Sequence, residues 1–395
     1  MTDEKSSPLV PTLRFPEFRE AGEWEELPIG RKVDLLSGYP FKSSEISKDV
    51  NGIPLLRGIN ITEGYIRHSQ DIDRFFTGEI DNFAKYRLHE NDIVIGMDGS
   101  KVGKNAALIT TKDTDSLLIQ RVARLRTSCL ATIQFIFQQI NSKKFHLYVD
   151  KINTSGGIPH ISAKQINEFE IYFPTLPEQQ KIASFFTAID QKLTQLKKKK
   201  DLLEQYKKGV LQKIFSQEIR FKDDDLQEFP KWEKKKIKDL IEIKYGKDQK
   251  QISCENGKYP ILGTGGEMGR TNDFLTDKPS VLIGRKGTID KPRYMDTPFW
   301  TVDTLFYTKV FANTNPKWLY YKFETINWYL YNEASGVPSL SSSTIYTIPI
   351  ILPTLPEQTK IAGFLSAIDM KISHTQKQIE KAEVWKKGLL QRMFV

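Results

Sequence analysis

Tyr39, Lys42, Arg57, Asn60, Lys101, Lys104 and Asn105 stand in turn-rich stretches of the first half of the chain, and Lys247, Gln249, Arg270, Arg285 and Lys286 stand in comparable stretches of the second. Arg, Asn and Gln can bond the edge of a nucleic-acid base through two hydrogen bonds, and Lys pairs with phosphate, so these residue types permit recognition of a nucleic acid. Chemistry on a substrate is not written in the same way. Gly99-Ser100-Lys101-Val102-Gly103-Lys104-Asn105 looks like a phosphate-binding loop, but Asp98 stands where that pattern needs glycine and Asn105 where it needs a magnesium-binding hydroxyl. The tract Gly263 to Gly269 is rich in glycine, yet no strand-to-helix step with a later acidic residue follows it, so it reads as a turn. There is no nucleophile elbow, no Ser-x-x-Lys, and no Asn/Asp-Pro-Pro-aromatic tetrapeptide of the kind that holds a flipped base for methylation. Cys129 and Cys254 lie far apart, and His68, His89, His146, His160 and His374 lack ligand spacing, so neither a disulfide framework nor a metal site is expected.

The elements that must position those loops emerge from self-comparison. Pro174-Thr175-Leu176-Pro177-Glu178-Gln179 recurs as Pro353-Thr354-Leu355-Pro356-Glu357-Gln358, and the match continues at a constant offset to Phe215 and Phe394. Lys181-Ile182-Ala183, Ala188-Ile189-Asp190 and Lys207-Lys208-Gly209 return as Lys360-Ile361-Ala362, Ala367-Ile368-Asp369 and Lys386-Lys387-Gly388. Upstream the copies diverge but keep their punctuation. Arg14-Phe15 and Trp24 answer to Arg220-Phe221 and Trp232, Asp92 to Gly96 answers to Ser280 to Gly284, and Ser155 to Pro159 answers to Ser335 to Pro338. The chain is an internal duplication of a variable block followed by a constant one.

Each constant block reads as a long helix opened by a proline in its first turn. Ile182, Phe186, Ile189, Leu193, Leu196, Leu203 and Val210 fall on an alternating four-three spacing, as do Ile361, Leu365, Ile368, Ile372, Ile379 and Leu389, with Lys200, Lys207 and Lys386 interrupting. About 38 helical residues make a rod of roughly 57 Å. Two such apolar stripes are expected to cover one another as an antiparallel pair. The variable blocks mix short β-rich runs with one helical stretch each, near 132–149 and 316–331, and read as α+β. The expected division is an N-terminal arm (1–22), a first variable α+β domain (23–174), a first long helix (175–218), a second variable α+β domain (219–353) and a second long helix (354–395).

With 395 residues, 39% hydrophobic and 27% charged, the chain has ample material for two or three cores. It has no apolar run of membrane-spanning length and no basic-then-apolar leader pattern at Met1, so a cytoplasmic location is expected. The formal net charge of +9 falls mostly on the helical blocks, while the first variable block carries as many acids as bases. Charge alone therefore argues only weakly for nucleic acid.

The whole chain from Leu13 onward resembles the specificity subunit of type I restriction-modification systems. The two Leu-Pro-Glu-Gln boxes carry the resemblance, each opening a helix with Lys-Ile-Ala and Ala-Ile-Asp and closing in Lys-Lys-Gly, together with the segments Ser155-Gly156 to Ile161-Ser162 and Ser335-Gly336 to Leu340-Ser341. The resemblance implies two pseudo-twofold-related α+β target recognition domains, each reading one half of a bipartite asymmetric double-stranded DNA site, separated by two long antiparallel coiled-coil helices that set the gap. It implies a non-catalytic chain. Its partners would be two modification subunits that use S-adenosylmethionine to methylate adenine, and two restriction subunits that use ATP and Mg2+. No cofactor is expected in this chain itself. A coiled-coil interaction scaffold without DNA binding is the alternative, and two differently surfaced blocks between similar helices count against it.

Overall fold

The proline that opens each constant block sits in the first turn of a long helix, where its missing N–H is not needed. In the computed structural model, which describes residues 10–153 and 158–394, the first long helix is Leu176–Phe215 and the second Leu355–Met393. Two compact units divide these helices rather than following the block boundaries. The first unit runs to Leu196 and takes up the chain again from Gln378, and the second is Lys197–Lys377. Each recognition domain thus packs with the start of one long helix and the end of the other.

In the first unit Phe186 stacks on Phe394 at 5.8 Å, and Asp190, one turn further along, accepts from Lys386 Nζ at 2.6 Å. The two helix segments therefore run antiparallel, as the paired stripes predicted. Ile182, Phe186, Ile189, Leu193 and Leu196 join Ile379 and Met393 in one core with Trp24, Phe135 and Phe173. The second unit repeats this with Ile214, Ile361, Leu365 and Ile368 against Trp318, Phe323 and Ile350. Leu203, Val210, Ile372 and Leu389 are half-buried.

The lysines that break the stripe have specific partners. Lys207 Nζ lies 2.9 Å from Asp369 and 3.1 Å from Glu324, which mirrors Lys386 on Asp190. Burial alone would lower the Lys207 pKa, but these carboxylates outweigh it and hold the ammonium charged. Lys200 pairs within its own helix with Glu204.

Both units build three sheets of corresponding kind, the third with four strands in the first unit and three in the second. A two-stranded pair joins the first strand of each block to the last, Glu25–Pro28 with Glu170–Phe173 and Glu233–Lys236 with Pro349–Leu352. A four-stranded antiparallel sheet runs in the order Asp34–Ser37, Val122–Arg126, Ile93–Gly96, Ala106–Leu108 in the first unit. Its counterpart is Ile241–Tyr245, Leu305–Val310, Ser280–Gly284, Arg293–Met295. A smaller mixed sheet contains the parallel pair Ile53–Leu56 with Leu117–Leu118, matched by Tyr259–Gly263 with Trp300–Thr301. The glycine tract at 263–269 is the turn and return strand of a hairpin, Tyr259–Gly263 with Gly266–Thr271.

The helical stretch expected near 132–149 is two helices, Leu130–Ile140 and Lys143–Ile152, because Ser142 accepts from the Phe145 N–H and starts a new one. Likewise 316–331 is a helix Pro316–Glu324 followed by a short 3-10 turn at Trp328–Tyr331.

The Leu-Pro-Glu-Gln box is the joint of each unit. Glu178 is fully buried and accepts from Arg14 Nε and Nη2 at 2.7 and 2.6 Å, and Glu357 accepts from Arg220 and from the indole of Trp232. Gln179 donates to the Pro174 carbonyl and accepts from Thr132, while Gln358 donates to Pro353 and accepts from the Asn315 N–H. Four residues thereby tie the helix start to the incoming arm, the last strand and a recognition-domain helix.

Candidate nucleic-acid interface

The four-stranded sheets carry equivalent loops at the end of their central strands, and main-chain hydrogen bonds fix the equivalence. Met97 N–H donates to the Arg121 carbonyl and Ile161 N–H to Met97, just as Arg285 N–H donates to Thr304 and Leu340 N–H to Arg285. Gly99 N–H donates to Pro159 at 3.1 Å and Gly287 N–H to Pro338 at 2.8 Å, with both glycines at left-handed φ, +93° and +87°. Tyr39 N–H donates to Leu118 and Lys247 N–H to Thr301, each next to a glycine whose added Cβ would lie 2.0 Å from a carbonyl oxygen, Gly38 on Ile119 and Gly246 on Val302. The Pro159 segment lies within the described residues from Ile158 onward, and Ser155 to Gly157 lie outside them.

The frame is common and the side chains on it differ. Tyr39 in the first unit is matched by Lys247 in the second, Met97 by Arg285, Asp98 by Lys286, Arg121 by Thr304 and His160 by Ser339. A shared backbone presenting unlike hydrogen-bonding groups is what two different sequence readers require.

Most residues singled out by type lie on or beside this frame. Lys101 and Lys104 follow Gly99 and pair with Glu63 at 2.8 Å and Asp150 at 2.9 Å. Such exposed pairs hold little free energy, so either ammonium can exchange its carboxylate for a phosphate. Asn105 is half-buried and its carbonyl accepts from Gly96 N–H. Tyr39 leans on Phe41, Phe83 and Tyr86 at ring distances of 4.8 to 5.3 Å. Lys42, Lys247 and Lys286 are exposed, Gln249 is half-buried, and Arg285 lies over the Tyr245 ring at 5.4 Å.

Two residues are engaged inside the fold. Asn60 is 1% exposed, donates to Asp73 and Arg67 and accepts from Arg57 N–H, so its amide shapes a turn and is withdrawn from any partner. Arg270 directs all three guanidinium nitrogens to Gly257, Glu267 and Lys258. Arg57 donates to the Ile72 carbonyl at 3.2 Å. Type and loop context cannot distinguish an arginine that closes its own turn from one that faces outward. Residue type passed over Asp98, Arg121, His160, Asp303 and Ser339; Asp98, His160 and Ser339 lie beside the aligned glycines and prolines, whereas nothing in the sequence around Arg121 and Asp303 marked them.

His68 pins the loop that carries Arg57 to the turn at Asp113, with Nδ1 3.2 Å from Asp73 and Nε2 2.9 Å from Asp113. Burial alone would lower its pKa, but the two carboxylates outweigh it and leave the pKa raised above the ordinary 6.5. A raised folded-state pKa stabilises fully below about 6.5, and the contribution fades as pH rises through the folded value. The unfolding-temperature difference between the native chain and His68→Ala is therefore expected to shrink on going from pH 6 to pH 8. A difference independent of pH would show that the charge on the ring is irrelevant.

Among the described residues no group of His, Cys, Asp and Glu is arranged to hold a metal ion, and no helix is long and apolar enough to cross a membrane. The family described as type I restriction modification DNA specificity domain matches twice, over residues 22–205 and 230–384. The MjaVIII specificity subunit of Methanocaldococcus jannaschii is 26% identical over 96% of this chain and 92% of its own. The EcoAI specificity subunit of Escherichia coli is 33% identical over 49% of this chain and 33% of its own. The fold is that of a type I restriction-modification S subunit from M. genitalium, at a TM-score of 0.68 and 19% identity, covering 98% of this chain and 99% of that one. With two matched copies of the domain lying on two units of one architecture, the chain belongs to the type I restriction-modification DNA specificity family.

Proposed function

We propose that this specificity subunit directs a type I complex to a bipartite, asymmetric DNA target, with each recognition domain reading one half through the loops at the end of its central strand. The observation that carries the reading is the shared loop frame with unlike side chains, Tyr39, Asp98 and Arg121 against Lys247, Lys286 and Thr304. A pure scaffold has no use for two such surfaces. The family's role is specificity rather than catalysis, and the reaction belongs to its partners. In this reading those are two modification subunits, which bring S-adenosylmethionine, and two restriction subunits, which bring ATP and Mg2+. The long helices set the gap between half-sites and offer docking surfaces, and linking two modest readers through a stiff spacer raises the effective concentration of the second once the first is bound. Lys101, Lys104 and the helix lysines add the phosphate contacts that position the duplex. A cytoplasmic complex acting on double-stranded DNA fits this role.

The test is base-resolution mapping of methylated adenines in cells carrying this chain with its modification subunit, against cells lacking it. A split motif that depends on the chain is the expected result. Two folded, associated subunits that mark no such motif would overturn the reading.

A further inference from the structure

Each unit places one arginine and one carboxylate on the two loops that meet at the end of its central strand, and the loops exchange roles between units. In the first unit the arginine, Arg121, comes from the turn before strand Val122–Arg126, and the acid, Asp98, from the loop after Ile93–Gly96. In the second unit Arg285 comes from the loop after Ser280–Gly284, and Asp303 from the turn before Leu305–Val310.

Arg121 holds a left-handed φ of +66°, which is uncommon for a residue with a long side chain, and its carbonyl is fixed by the Met97 N–H. Its side chain is 68% exposed, and Nη1 donates to Asp98 at 2.7 Å. The other two guanidinium nitrogens have no hydrogen-bond partner among the described residues. Arg57, Arg67 and Arg74 also use one guanidinium nitrogen each, but on main-chain carbonyls of their own loops, while Arg126 closes on Asp92 with both Nε and Nη2. Arg285 is held by different means to a similar end: Nη1 donates to the Asp303 carbonyl at 3.1 Å, the Asp303 carboxylate lies 3.8 Å away, and the plane rests on Tyr245.

Asp98, bridged to His160 in the loop frame and only 25% exposed, stays beside Arg121, where it repels a phosphate and offsets the charge that would release counterions, whereas Glu63 and Asp150, each 54% exposed, can swing away from Lys101 and Lys104. A guanidinium so held suits a neutral base edge. The free donors match the O6 and N7 acceptors of guanine, and the neighbouring carboxylate can accept from the N4 amino group of the paired cytosine. We propose that Arg121 with Asp98, and Arg285 with Asp303, are specificity-determining pairs, each reading a G·C base pair in the half-site of its own unit. This rests on the function proposed above.

The test uses the complete chain with its modification subunit. Arg121→Ala, Arg121→Lys, Asp98→Asn and Arg285→Ala are compared with the native chain by methylated-adenine mapping, and by affinity for the target with each base pair replaced in turn at two salt concentrations. Arg121→Ala is expected to relax one G·C position of one half-site, lowering discrimination there by about ten- to a hundredfold, while the other half-site is read as before. Arg285→Ala is expected to do the same in the opposite half-site, and lysine at 121 is not expected to restore discrimination because it lacks the two-donor edge. The intact half-site reports on folding within the same molecule, and Asp98→Asn keeps the shape of the loop while weakening the pair. An unchanged motif, or a uniform loss across all sequences with a smaller salt dependence, overturns the pairs as base readers while leaving the split target standing. A native chain that directs no split motif overturns both.

Discussion

Replacing Glu178 by alanine is expected to destabilise the first unit by about 3–5 kcal/mol, the cost of stranding one member of a buried ion pair. The carboxylate is inaccessible to solvent and Arg14 is only 5% exposed, so the guanidinium left behind keeps the Gly22 carbonyl and little else. In the native chain the hydrogen bonds to Glu178 outweigh burial and raise the Arg14 pKa; the variant loses that support, yet a guanidinium stays protonated, so deprotonation offers no relief. Glu357→Ala breaks a different balance. Arg220 is 25% exposed and still reaches the Phe229 and Pro230 carbonyls, so water and backbone relieve part of its loss. Trp232, however, loses the acceptor for its buried indole N–H, a further cost of about 1–3 kcal/mol. Both variants should melt well below the native protein, and hydrogen exchange should rise in the unit that carries the substitution. A shift equivalent to less than about 1 kcal/mol at Glu178 would refute the box as the joint of its unit.

The periodic parts of this fold were legible because their physics is local. A proline followed by apolar residues at four-three spacing specifies a helix wherever it lies, and the second copy of the pattern doubled the signal. The lysines inside the stripe were visible only as interruptions, since Lys386 meets an acid, Asp190, that lies 196 residues away in the chain. The single helix expected near 132–149 ignored Ser142, whose hydroxyl competes for the next helix's first N–H groups. Antiparallel pairing followed from the two stripes, but the division of each helix between two units did not, because it depends on which recognition domain covers which end. The loop frame escaped for another reason. Its equivalence is written in main-chain hydrogen bonds, whereas its side chains, Met97 for Arg285 or Asp98 for Lys286, have nothing in common to align. Ranking loop residues by type therefore admitted Asn60 and Arg270, which close their own turns, and overlooked Arg121.

Inserting seven residues after Leu196 and seven after Lys377 is expected to lengthen the unspecified gap of the target while leaving both half-site sequences unchanged. These are the points at which the long helices pass from one unit to the other, and no sheet or recognition loop lies there. Seven residues add about 10.5 Å and close to two full turns, so the apolar stripe returns to nearly the same face. Divided by the 3.4 Å rise of a base pair, that length corresponds to up to about three base pairs of extra gap. Both insertions are needed because the helix segments run antiparallel. An insertion in the first helix alone, for instance after Lys200, leaves the second helix too short to keep Lys386 on Asp190 and Lys207 on Asp369 together. The single insertion should therefore weaken folding or strain one of those contacts, whereas the paired insertion should preserve both. Methylated-adenine mapping reads the outcome directly. A paired variant that still marks the original gap would show that the helices do not determine the spacing, and one that marks altered half-sites would show that the two recognition domains do not read independently.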